Sequence, residues 1–99
     1  STQALLDLPE PPTALFMANN LLTLGALKAI HERGRRVPDD IAIAPFDQTY
    51  WTAYQPAQTV VAQPTYELGR TAANLLLERI NDRTRPVQEV ILPTTILDR

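Results

Sequence analysis

Apolar positions recur along this chain with two different periods. Thr13 to Met17 is a short continuous apolar run with β-branched and aromatic members, the pattern of a buried strand. Ala18-Asn19-Asn20 breaks the run, and asparagine favours the cap of a helix. Leu21 to Arg33 follow at helical spacing until Gly34 and Pro38 stop them. Asp40 opens a second apolar run, Ile41 to Phe46, and Asp47 closes it. Strand, helix, strand in this order predicts two parallel strands joined by a crossover helix. Asn19 and Asp47 then fall at the carboxyl ends of those strands, where open parallel sheets bind ligands.

The helical stretch has an expected buried stripe of Leu22, Ala26, Leu27, Ala29 and Ile30, with Lys28, His31 and Glu32 opposite. Leu21 and Leu24 lie off the stripe. They are either scattered exposed leucines or a second buried contact. Before this unit, Ala4, Leu5, Leu6 and Leu8 suggest the tail of a helix ended by Pro9, Pro11 and Pro12. After it, Thr59 to Ala62 predicts a third strand, and Pro64 or Thr65 opens a long helix to about Asn81. The apolar positions of that helix span more than half its circumference, so packing on two sides is expected. Gly69 within it suggests close approach of another backbone. Gln88 to Pro93 and Thr94 to Leu97 read as strand segments. Pro45 has no N–H for a ladder and is expected at a strand's end or an unpaired point.

Composition narrows the function classes. Nine basic and eleven acidic residues among 99 give a net charge of −2, which argues against this chain being a nucleic-acid surface by itself. Arg33, Arg35 and Arg36 cluster at a helix end, where cations complement the dipole, as does His31. There is no cysteine and a single histidine, so neither a disulfide framework nor a Cys- or His-built metal site is expected. No apolar stretch approaches the ~20 residues that span a bilayer, and no signal peptide is visible at the start. These features predict a cytoplasmic α/β domain.

No nucleophile, base and orienting acid assemble into a catalytic set, so no enzyme and no cofactor are expected. Binding has better material. Asn19 carries an amide that both donates and accepts, and Asp47 an acceptor for two hydroxyl donors. The plain alternatives are a backbone bond at the helix start for Asn19 and a turn cap for Asp47. Tyr50, Trp51 and Tyr54 crowd into Gln48 to Gln58, either as an apolar cluster at a hinge or as a stacking wall for a sugar face or ring. Trp51 is the best candidate of the three for both roles.

Asn19 to Gly25 (Asn-Asn-x-x-x-x-Gly), Val37-Pro38-Asp39-Asp40-Ile41, Phe46-Asp47, and Val61-Ala62-Gln63-Pro64 with Gly69 occur in one order and spacing. From about Pro12 to the C-terminus the chain resembles the effector-binding core of the LacI/GalR family of bacterial transcription regulators. Asn20 stands where an Asp is usual there, and Pro45 where a Gly is usual. The resemblance implies a three-layer Rossmann-like sheet with mainly parallel strands. Residues 1–99 are then a partial effector-binding and dimerisation domain of a type I periplasmic-binding-protein-like, two-lobed fold. It implies that the DNA-binding head and the first part of the effector domain lie outside this chain, and that the chain carries pieces of both lobes. It implies ligand-binding roles for Asn19, Asp47 and Thr65, to which the aromatic loop adds Trp51 as a candidate, and a homodimer seam at Leu21 and Leu24. The implied ligand is a small sugar or nucleoside-like effector, and DNA is met only through the absent head. The rival readings are a periplasmic solute-binding protein of a transporter, which shares the fold, a bare dimerisation module, and an α/β enzyme using Asp47 as acid or base.

Overall fold

The computed structural model describes residues 2–47 and 59–98. They divide into two compact units, Ser1–Ala62 with Ile96–Arg99, and Gln63–Thr95.

The first unit is built on the expected crossover. Strand β1, Ala14–Met17, pairs in parallel with β2, Ala42–Pro45, in the register Ala14 to Ala42 through Met17 to Pro45. Helix α2, Asn20–Glu32, connects them, preceded in the chain by the short α1, Thr2–Leu6. Alternation along the strands sorts the side chains. Ile41, Ile43 and Met17 turn inward and cluster with Ala26 and Ile30 of α2, with Leu6, Leu15, Leu27 and Val37 packed against them. Phe16 points to the other face and is 63% exposed. Fully burying a side chain such as Ile30 contributes ~1.5–3 kcal/mol, so this small cluster is what fixes α2 on the sheet.

The ends of α2 explain its limits. Asn19 is the cap: its side chain accepts from the Leu22 N–H at 2.9 Å, and the helix starts one residue earlier than expected. Of the two asparagines Asn20 is already helical, and Asn19 keeps the extended backbone of a cap. At the other end Gly34 takes φ +65°, its N–H donating to the His31 carbonyl while the Arg35 N–H donates to that of Ile30. This doubled closure needs a left-handed residue, which glycine supplies without a Cβ clash. The buried face of α2 is Thr23, Ala26, Ala29 and Ile30. Leu22, expected within the stripe, is 54% exposed. The stripe is rotated toward Thr23, whose hydroxyl is satisfied inside by the Asn19 carbonyl at 2.9 Å.

Strand β3, Val60–Ala62, joins β2 through a single parallel bridge, Phe46 to Val61, and pairs with β4, Thr95–Leu97. The Thr59 hydroxyl donates to the Asp98 carboxylate at 2.7 Å beside that pair.

The second unit is led by α3, Thr65–Asn81, with Pro64 as its cap residue. The boundaries match the sequence pattern, but the expected packing on two sides is not found. None of its residues is buried, and Tyr66, Leu76, Leu77 and Ile80 are all more than half exposed. A Cβ at Gly69 would meet nothing within 4 Å, so the expected backbone approach is also absent among the described residues. The turn after α3 is tied back to it by Arg79 Nη1 on the Arg85 carbonyl at 2.9 Å and by Arg85 against Glu78 at 3.3 Å. Gln88 to Pro93 is not a strand. Propline-flanked and without a described neighbour to pair with, its apolar residues lack the ladder a strand needs.

Candidate functional site

Met17 and Pro45 are the last paired residues of β1 and β2. Asn19 and Asp47 each stand two positions further on, so both rise from the same edge of the sheet. Adjacent strands lie about 4.8 Å apart, so the strand ends from which these two residues follow are neighbours despite the helix between them in sequence.

Each is held by local structure. The Asn19 side-chain oxygen is taken by the Leu22 N–H. Its amide nitrogen donates to nothing among the described residues and remains a donor at the rim. The local backbone bond expected of Asn19 at the helix start is thus made by its side-chain oxygen. Asp47 is half-buried, with backbone φ +91°, a conformation that L-residues other than glycine rarely adopt. Its N–H donates to the Val61 carbonyl at 2.7 Å, while the preceding N–H, of Phe46, donates to Met17 at 2.7 Å on the opposite side. The rim is thus clamped to β1 and β3 by consecutive residues. Strain of this kind persists where surrounding bonds over-determine it, and it concentrates at binding sites.

An amide donor, a carboxylate acceptor and the start of α2 at one rim can accept and donate to a polyhydroxylated ligand. The N-terminus of α2 adds a partial positive charge nearby. Asn20 contributes a feature not foreseen from sequence: its Oδ1 is buried and accepts no hydrogen bond. The strain at Asp47 was also invisible, because a positive φ has a sequence signal mainly in glycine.

Thr65 opens α3 in the second unit, exposed, with its N–H donating to the Gln63 carbonyl at 2.9 Å. Trp51 lies outside the described residues. Leu21 and Leu24 are on the outer side of α2, 80% and 57% exposed. Leu21, Leu22 and Gly25 line a shallow groove of about 380 Å³ with Thr2 and Gln3 of α1. Among the described residues there is no group of His, Cys, Asp and Glu able to hold a metal, and no helix long and apolar enough to cross a membrane.

The comparisons with known proteins agree with this architecture. The whole chain, residues 1–99, matches the family model for the periplasmic binding protein-like domain. It is 46% identical over 79 residues to the HTH-type transcriptional repressor CytR of Escherichia coli (strain K12), covering 79% of this chain and 23% of that protein. It is 43% identical over 86 residues to the HTH-type transcriptional repressor PurR of Haemophilus influenzae (strain PittEE), covering 86% of this chain and 26% of that repressor. The solved structure of a LacI family transcriptional regulator from Enterococcus faecium with bound ribose superposes with a TM-score of 0.82 at 35% identity, over 99% of this chain and 36% of that one. The chain spans about a quarter of the length of these curated relatives. The relatives are repressors rather than catalysts. A parallel crossover, matched end to end by the family model, leads to one assignment: the chain belongs to the periplasmic binding protein-like domain family and is similar to LacI-family transcriptional regulators.

Proposed function

We propose that this chain is the effector-sensing and dimer-forming part of a cytoplasmic LacI/GalR-type transcription regulator. Its ligand is a small sugar or nucleoside-like molecule, held by Asn19 and Asp47, with Thr65 and Trp51 as further contacts. The observation that supports the reading is the level ending of β1 and β2, from which Asn19 and Asp47 each follow two positions on. Hydroxyl pairs need a donor and an acceptor, and Asp47 is the main anchor, because hydrogen bonds to a charged acceptor contribute ~1.5–3 kcal/mol. The ribose held by the Enterococcus faecium regulator is consistent with a polyhydroxylated ligand. Leu21 and Leu24, uncovered on α2, supply the apolar surface for a second copy. DNA is bound by the head of the full-length protein, and the effector acts by favouring one arrangement of the lobes over another.

Calorimetry of the full-length protein against ribose, cellobiose, cytidine and adenosine tests this. One of them is expected to bind, and Asp47→Asn to weaken that binding roughly tenfold to a hundredfold. Binding that is indifferent to both Asp47→Asn and Asn19→Ser would move the site elsewhere.

A further inference from the structure

The bonding around Asp47 gives a role to a residue that touches no ligand. Along β2 the N–H groups alternate in direction. Those of Ala42 and Phe46 donate to Thr13 and Met17 of the β1 segment, and that of Asp47 donates to Val61 of β3. By this alternation the N–H at position 45 would point to β3 as well. Position 45 is proline, which has none. Among the described residues the β2–β3 seam holds one bridge, Phe46 to Val61. Pro45 is also among the most deeply buried side chains, below 2% exposure, and its ring holds φ near about −65°. Two positions later the chain must turn into the φ of +91° at Asp47.

We propose that Pro45 is a positioning residue for the candidate effector site. It fixes the backbone entering the rim, so that the two N–H clamps at Phe46 and Asp47 hold the strained Asp47 conformation before any ligand arrives. With no N–H of its own, it leaves that task to the clamp at Asp47 instead of to a longer ladder. Ordering that a ligand does not have to supply is affinity gained. This inference rests on Asp47 being the ligand anchor.

The test uses Pro45→Ala and Pro45→Gly in the full-length protein, beside Asp47→Asn. Two readouts are followed: hydrogen exchange of the Asp47 and Ala42 amides without ligand, and calorimetric affinity for ribose, cellobiose, cytidine and adenosine. If Pro45 positions Asp47, the Asp47 amide exchanges faster while that of Ala42, bonded to the Thr13 carbonyl, keeps its protection. Affinity for whichever probe binds then falls roughly threefold to tenfold, more for Gly than for Ala, since backbone freedom is what differs between them. If Pro45 only fills space, both variants lower the melting temperature, exchange rises at Ala42 as much as at Asp47, and affinity is unchanged; that result overturns the inference. Unaltered binding in Asp47→Asn would count against the site itself. The exchange contrast still decides whether Pro45 holds the Asp47 backbone.

Discussion

The backbone at Asp47 makes a prediction that inverts a common rule. At most positions alanine is more stable than glycine by ~0.5–1 kcal/mol, because glycine loses more chain entropy on folding. At Asp47 the φ of +91° lies where a Cβ is costly. Holding an L-residue in the left-handed region costs ~1–2 kcal/mol, and glycine escapes that. Subtracting the entropy from the relief leaves Asp47→Gly about 1 kcal/mol more stable than Asp47→Ala. Comparing the two variants with each other cancels the lost carboxylate, whose own bonds vanish in both. Urea unfolding of the full-length protein measures the difference directly, provided the slopes agree so that midpoints can be compared. Both variants should bind the effector poorly, so the glycine form would be a sturdier protein with a weaker site. An alanine variant equal to or more stable than the glycine variant would refute the argument that the rim stores strain.

Three further outcomes follow from the geometry. Asn19→Ala should lose ~1 kcal/mol of stability with its cap, whereas Asn19→Ser keeps a capping oxygen but no amide donor. Equal thermal stability with reduced effector affinity in the serine variant, read by calorimetry, separates the two jobs of Asn19. Asp40 is held below the usual carboxylate range, first by the Arg36 guanidinium and then by the Arg36 N–H at 2.7 Å. A lowered folded-state pKa means its contribution is present above the unfolded value of about 3.8 and lost as pH falls through the folded one. Asp40→Asn should therefore flatten the acid limb of a plot of urea midpoint against pH, and an unchanged limb would remove Asp40 from the account. Leu24→Glu puts a charge on a surface that is 57% exposed, so the fold should survive by circular dichroism. If Leu24 lies in the proposed seam, sedimentation should show the full-length variant as a smaller species than the parent protein, and an unchanged species would clear Leu24 of that role.

The crossover could be read from sequence because its signals are local. Asn19, Gly34 and the apolar runs of β1 and β2 each state their own conformation, and the strand–helix–strand order fixes the parallel pairing. Leu22 was misread because a helical projection gives the width of an apolar stripe but not its rotation. The rotation is set by what Thr23 and Ile30 meet, and that depends on residues far away in sequence. The apolar breadth of α3 was legible as a demand for neighbours, yet its residues are uncovered here, since pattern records what a helix needs and not what this chain contains. At the candidate site the levels of Asn19 and Asp47 followed from counting along strands. The +91° at Asp47 and the clamps on either side of it did not, because each depends on a carbonyl supplied by another strand.

The register of β1 on β2 works as a ruler. Ala14 faces Ala42 and Met17 faces Pro45 without stagger, and the same number of residues then carries the chain to Asn19 and to Asp47. Removing one residue from either strand would draw one polar group back by about 3.3 Å and turn every following side chain to the opposite face. The chemistry at the two tips can be exchanged one side chain at a time. The arithmetic that brings the tips level tolerates no such edit.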